Sequence, residues 1–263
     1  MAQFETIRLT IDDGVATVTL HRPQVRNAFN DVMLAELVAV FKSLATQFPN
    51  VRVVVLTGSG SVFCAGADLN WMRKTASYSL EENLADARQL AECMYRLYTL
   101  PQPTIARVNG AAIGGGMGLV CACDLAIAQE DATFSLSEVK IGLVPACISP
   151  YVLKKVGEGR CREFFLTGER LSAQRAKEAG LVNEVVSAEE LDARLQERVN
   201  LLLANGPQAL ATCKSLLAAV SQLPLEEARD YTAHVISELR LGQEAQEGMA
   251  AFLEKRRPSW LKQ

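Results

Sequence analysis

Three segments of the chain carry residue types suited to stabilising a developing negative charge and moving a proton. Cys64-Ala65-Gly66-Ala67-Asp68-Leu69 and Gly114-Gly115-Gly116-Met117-Gly118-Leu119 are glycine-bearing loops, each preceded by strand-forming residues. Glycine lets another group approach the main chain closely. A loop running into a helix leaves backbone N–H groups without acceptors, and the helix dipole makes that end attractive to negative charge. Two such ends facing one point would form an oxyanion hole. Taken singly, either glycine cluster reads equally as a tight turn or a close helix contact. The third segment, Phe134-Ser135-Leu136-Ser137-Glu138-Val139, offers a carboxylate whose plain reading is a solvated group at a helix start. Asp68 reads first as a helix N-cap, Asp124 as structural, and Trp71 and Met72 as pocket wall or ordinary core. Gly-Gly-Gly-Met-Gly is not a dinucleotide fingerprint, and no phosphate-binding loop of the GxxxxGK type is present.

The elements that must position these segments follow from hydrophobic periodicity. Residues 5–20 alternate around Asp13-Gly14, a hairpin signal. Residues 30–46 have a helical period after the candidate cap Asn30. Val51–Leu56 is almost entirely β-branched and apolar, as expected of a strand covered on both faces, and Thr104–Val108 and Leu125–Ala128 are further buried strands. Residues 80–99 repeat Leu84, Ala87, Leu90, Met94 and Leu97, an amphipathic helix. From about residue 150 the pattern predicts helices, clearest at 188–204, 206–221 and 225–240, with 243–257 a further candidate. Alternating strands and helices predict an α/β core with helical crossovers, over 1–187, followed by a helical region over 188–263.

Composition sets the outer limits. The 263 residues are 49% hydrophobic and 22% charged, ordinary for a globular protein. A net charge of −3, from 27 basic and 30 acidic residues, provides no global field for nucleic acid or an anionic membrane. Seven cysteines, mostly in apolar surroundings and without metal-binding spacing, predict buried thiols in a reducing compartment. The first residues lack the pattern of a signal peptide, and the weakly polar run 111–123 is too short to span a bilayer, so a cytoplasmic location is expected.

Several long motifs in order resemble the enoyl-CoA hydratase/isomerase (crotonase) family: HRPQVRNAFN at 21–30, VVLTGSGSVFCAGADL at 54–69, PTIARVNGAAIGGGMGLVCACDLAIA at 103–128, FFLTGERLSAQRAKEAGLVNEVV at 164–186 and EGMAAFLEKRRPSW at 247–260. The resemblance implies a crotonase (ClpP-like) fold of repeated ββα units in two roughly perpendicular sheets, with a C-terminal helical region that forms a homotrimer or a dimer of trimers. It implies an acyl-CoA thioester substrate, with coenzyme A as part of the substrate and no separate cofactor or metal. It makes the N–H groups of Ala67 and Gly115 the oxyanion donors and places Glu138 on a catalytic carboxylate position. The second glutamate of the familiar hydratases falls on Gly118, which has no side chain; room there for a branched substrate is the expectation. Ala65, Asp68, Leu69 and Trp71 are expected to bind the acyl-CoA, Trp71 lining the acyl pocket; Arg26 and Lys255, with Arg256 and Arg257, to meet the CoA phosphates; and Phe252 to neighbour the adenine, its tail helix reaching the CoA of an adjacent subunit.

A finer similarity, carried by FSLSEVKIGLVPACISPYV at 134–152, by Gly118 and by Trp71, is to hydratases of 3-substituted glutaconyl-CoA thioesters in leucine and acyclic terpene breakdown. Arg73, Lys74 and Lys140 are candidates to meet the distal carboxylate of such a substrate. A Δ3,Δ2-enoyl-CoA isomerase using Glu138 as its single base is the alternative. An RNA-binding scaffold is disfavoured by the net charge and the lack of an RNA-binding motif.

Overall fold

A computed structural model describes residues 4–261. Strands β1 (Ile7–Asp12) and β2 (Val15–Leu20) form the expected hairpin, with Asp13 and Gly14 at φ 44° and 79° in its two-residue turn. Helix α1 (Asp31–Thr46) starts where Asn30 Oδ1 accepts the Met33 N–H at 2.9 Å. Strand β3 (Val53–Gly58) begins two residues later than the sequence predicts, because the Val51 N–H is still tied to the Gln47 carbonyl in the turn after α1.

After β3 the chain leaves the first sheet through β4 (Val62–Cys64), then forms α2 (Leu69–Thr75) and α3 (Leu80–Tyr98). It returns as β5 (Thr104–Val108), leaves again through β6 (Ala111–Ile113) into α4 (Gly115–Ala122), and repeats the excursion with β7 (Leu125–Gln129) and β8 (Thr133–Ser135). The remainder is α5 (Ser149–Thr167), β9 (Arg170–Ser172), α6 (Ala173–Glu178), β10 (Glu184–Val186), α7 (Leu191–Leu203), α8 (Pro207–Val220), α9 (Leu225–Leu241) and α10 (Gln243–Leu253).

The six-stranded sheet has the order β1-β2-β3-β5-β7-β10, parallel from β2 onward. The four-stranded sheet has the order β4-β6-β8-β9, with β4, β6 and β8 parallel and β9 antiparallel. Strands β9 and β10 correct the expectation that the chain past residue 150 is helical. Three residues give no periodicity to read, and each strand forms by pairing with a sheet edge that already exists.

Alternate residues of the large sheet enter two cores. Val54, Leu56, Ala106, Val108, Ala126 and Ala128 face the main one, which includes α1, α3 and α4. Val53, Val55, Ile105 and Ile127 face the other way and are covered by Leu191 and Val199 of α7. Coverage of both faces is why these strands are continuous apolar runs. Helix α10 ends at Leu253, short of the expected 257, and Lys255 takes a left-handed φ of 54° just beyond it. Among the described residues no helix is long and apolar enough to cross a membrane.

Candidate active site

Three parallel strands deliver the site. β4, β6 and β8 run side by side, so the segments that leave their C-terminal ends lie at one edge of the small sheet. Those segments are Ala65–Ala67, Gly114–Gly115 and Ser137–Glu138. The arrangement is the usual one for ligand sites on parallel sheets. The registers Cys64↔Ala112, Ala112↔Phe134 and Ile113↔Ser135, with the Gly114 N–H donating to the Ser135 carbonyl at 2.8 Å, fix the three ends against one another. Together they border a cavity of about 580 Å³, closed on other sides by Trp71 and Met72 of α2, α3, and residues 143–148 ahead of α5.

The two candidate oxyanion donors follow from local geometry. Phe29 pairs with the first loop: its N–H donates to the Gly66 carbonyl at 2.7 Å and its carbonyl accepts the Asp68 N–H at 2.8 Å. These bonds use the groups flanking Ala67 and leave the Ala67 N–H without an acceptor among the described residues. Gly115 is the first residue of α4, so its N–H has no acceptor within the helix. Both residues line the cavity. A side chain on Gly115 would run into the Phe29 ring, whose Cε2 lies 2.6 Å from the position of a Cβ.

Glu138 sits in a 3-10 turn, Ser137–Ile141, directly after β8. Its Oε2 is buried and has no hydrogen-bond partner among the described residues. Burial holds the carboxyl above the ordinary glutamate value of 4.5, partly offset by a hydrogen bond with its own backbone amide. A buried, unpartnered oxygen on a group of raised proton affinity, at the same cavity as two unoccupied N–H donors, has the chemistry to transfer a proton next to a stabilised anion.

Ala65, Ala67, Leu69, Trp71, Gly115 and Glu138 thus meet at one cavity. Other expected residues do not join them. Gly118 is enclosed in α4, and a Cβ there would lie 2.3 Å from Ile148 Cγ2 and 3.4 Å from Met94 Cε. The room expected for a branched substrate is filled by Ile148, which forms the cavity wall in its place. Asp68, expected among the acyl-CoA-binding residues but read first as a helix N-cap, is that cap and is committed to the scaffold. Its Oδ1 caps α2 through the Asn70 N–H at 2.8 Å, and its Oδ2 pairs with Arg22 at 2.9 Å. Burial acts to raise the Asp68 carboxyl, but the Asn70 amide and the Arg22 guanidinium together hold it below its ordinary value.

Arg26, Phe252 and Lys255 lie outside the cavity wall; all three are exposed, Phe252 by 83%. Arg256, grouped with them in the sequence, is held by Glu247 at 2.7 Å and by Glu254 at 2.6 Å. None of the cations considered for a distal carboxylate lines the cavity: Lys74 pairs with Asp31 at 3.2 Å, Arg73 donates to Asn70 at 3.0 Å, and Lys140 is exposed.

The structure adds residues that the sequence reading passes over. Asp86 and Asn83 of α3 line the cavity, and Asp86 Oδ1 accepts the Trp71 indole N–H at 2.9 Å. Their spacing of three places them on one helix face, a signal present in the sequence but indistinguishable there from a solvated surface. Cys64, Cys121 and Cys123 are buried, which pushes each thiol up to about 12 and leaves them as small apolar residues. A larger cleft, about 1110 Å³, lies between Tyr98, Tyr151 and α8. Its central ions are already paired: Asp124 with Lys214 at 2.7 Å, and Lys155 with the Cys123 and Asp124 carbonyls at 2.7 and 2.9 Å.

Known proteins match this chain over nearly its whole length. The sequence profile of the enoyl-CoA hydratase/isomerase family matches residues 10–263. The crystal structure of an enoyl-CoA hydratase from Shewanella pealeana superposes with a TM-score of 0.94 at 42% identity, covering 98% of this chain and 97% of that one. AtuE of Pseudomonas aeruginosa gives a TM-score of 0.94 at 36% identity, covering 98% and 100%. A 2,3-dehydroadipyl-CoA hydratase of Escherichia coli is 33% identical, with 94% of each chain covered. By profile, by sequence and by fold, the chain belongs to the enoyl-CoA hydratase/isomerase family.

Proposed function

We propose that this enzyme adds water across the α,β double bond of an enoyl-CoA, and that the acyl group is a 3-substituted glutaconyl. The observation that carries the hydration reading is the buried, unpartnered Oε2 of Glu138 at a cavity bordered by the free N–H groups of Ala67 and Gly115. In this mechanism the two N–H groups bind the thioester oxygen and draw electron density from the double bond. Glu138 takes a proton from water as the oxygen adds at C3, giving an enolate held by the same two donors. The protonated Glu138 then returns the proton to C2 as the enolate collapses. A single carboxylate suffices when both transfers occur on one face of the acyl group.

Two observations support an acyl group with a polar far end. The cavity wall includes Asn83 and Asp86, which a plain hydrocarbon chain would leave unused. One relative is named for 2,3-dehydroadipyl-CoA, a thioester whose acyl group ends in a carboxyl. The test is turnover of 3-methylglutaconyl-CoA, isohexenylglutaconyl-CoA and crotonyl-CoA in oxygen-18 water. The reading requires a 3-hydroxyacyl product carrying the label and a preference for a glutaconyl substrate.

One observation favours a second reading, a Δ3,Δ2-enoyl-CoA isomerase: Ile148 fills the position of a second carboxylate, leaving Glu138 as the carboxylate beside the oxyanion donors. A shifted double bond without label would select it.

We further propose assembly as a homotrimer or a dimer of trimers. Leu217, Leu225, Leu241, Phe252 and Leu253 of α8–α10 are exposed by 68–91%, apolar surface suited to burial between subunits. Sedimentation equilibrium tests this: a trimer or hexamer mass supports it, and a monomer at micromolar concentration excludes it.

A further inference from the structure

Asp86 is the one carboxylate of the cavity wall that the hydration mechanism does not use. Its Oδ1 is taken by the Trp71 indole at 2.9 Å, and no described residue partners Oδ2. Asn83 lies one turn earlier on α3. Its amide nitrogen donates to the Tyr78 and Ser79 carbonyls at 3.1 and 3.2 Å. Two carbonyl acceptors fix the amide orientation, so the free atom of Asn83 is its oxygen. Both free atoms on this wall therefore accept hydrogen bonds. The cavity lining contains no Lys, Arg or His; its other titratable groups are Glu138 and the Cys147 thiol. Asn83 is exposed and Asp86 half-buried in the chain without substrate; a carboxylate anion brought against this wall would meet acceptors only, and two like charges at contact distance disfavour each other's ionised form.

We infer that Asp86 and Asn83 determine acyl specificity by selecting an O–H donor at the far end of the acyl group. For the glutaconyl class this means that the distal carboxyl binds with a proton shared with Asp86. The inference rests on the proposed function and specifies how that substrate is held. At neutral pH the distal group is ionised in solution, so binding takes up one proton from solvent. A terminal hydroxyl presents the same O–H donor and needs no proton.

Saturated five-carbon thioesters separate these cases without turnover. Glutaryl-CoA, 5-hydroxypentanoyl-CoA and pentanoyl-CoA are titrated calorimetrically at pH 7 in buffers of different ionisation enthalpy. For the wild type, 5-hydroxypentanoyl-CoA is expected to bind about tenfold tighter than pentanoyl-CoA, with equal proton exchange. Glutaryl-CoA is expected to take up about one proton more than either. Pentanoyl-CoA supplies the reference for proton exchange at Glu138 and Cys147. In Asp86→Asn the side-chain oxygen still accepts from Trp71, which turns N–H donors toward the cavity. Glutaryl-CoA should then bind tighter than to the wild type and without the extra proton, and the hydroxyl preference should fall. The inference is overturned if the wild type binds the hydroxyl and methyl ends equally and glutaryl-CoA takes up no extra proton, a result that needs no variant. It is also overturned if Asp86→Asn leaves the three-ligand ranking unchanged. Absence of any enoyl-CoA turnover would instead defeat the proposed function.

Discussion

The carboxyl of Glu138 occupies the space that a side chain on Gly114 would need: a Cβ there would lie 2.9 Å from Oε1. Gly114 also has a φ of 53°, a backbone conformation that other residues adopt only at a cost. Gly114→Ala should therefore displace the carboxyl while leaving the rest of the chamber standing. The expected outcome is a fall in kcat of roughly 10²-fold, the scale of an ångström-sized misplacement. Steady-state kinetics alongside a thermal melt checks it; a variant with normal kcat would mean that Glu138 does not act from this position.

Removing the proton carrier without its bulk gives a sharper test. Glu138→Gln should lower kcat by about 10³–10⁴-fold, the upper part of the range for one general acid–base group. The Ala67 and Gly115 donors belong to the main chain, so saturated acyl-CoA binding measured by calorimetry should change little.

The same substitution should stabilise the fold. Burial raises the carboxyl above its ordinary 4.5, so the folded protein favours the protonated form. The stability contributed by this group is present in full below about 4.5 and is lost as pH rises through the folded-state value. Glutamine cannot ionise. Glu138→Gln should melt higher than the wild type at pH 7, and the difference should shrink as pH falls through the folded-state value and be gone below about 4.5. In parallel, wild-type kcat/KM should rise with pH through a value above the ordinary glutamate value of 4.5, because the ionised form accepts the proton from water.

At Gly118, packing decides the outcome of restoring a carboxylate. A Cβ there meets Ile148 at 2.3 Å, so even Gly118→Ala overfills α4. The expected loss is about 1–3 kcal/mol by chemical denaturation, and more for Gly118→Glu, which adds a charge in the same place. Gly118→Ala combined with Ile148→Ala should cost less than the sum of the two single losses. Additive losses in the double variant would show that the two positions do not compete for space.

Asp68 offers the contrasting case of a charged residue near the site that holds structure. Asp68→Ala removes one partner of a buried ion pair with Arg22 and the cap of α2. A stability loss of about 3 kcal/mol is expected. The fall in kcat should stay well below that of Glu138→Gln, as kinetics on the folded variant would show.

The sequence made the central strands legible because β3, β5 and β7 are covered on both faces, which leaves unbroken apolar runs. The short strands are a different matter: β9 and β10 owe their conformation to the edges they join, and nothing within three residues announces that. Within the site, Glu138 and the two donor loops stand out because each occupies a contiguous motif. Asp86 and Ile148 do not. Asp86 becomes part of the wall only when α2 brings the Trp71 indole to it, and Ile148 closes the space above Gly118 from a distant part of the chain. Both are consequences of packing between elements, which no local pattern encodes.

The donors at Ala67 and Gly115 are amide groups of the main chain, set in place by strand registers and by Phe29. Every amino acid except proline supplies such an N–H, so exchange at Ala67 keeps the donor, whereas Gly115 is held to glycine by the Phe29 ring that a Cβ would meet. In the proposed mechanism the enolate is thus held by backbone placement and by no side chain's own chemistry. Under that mechanism, a change of acyl group would fall to the side chains of the wall, such as Trp71, Asp86 and Ile148, with the backbone donors left in place.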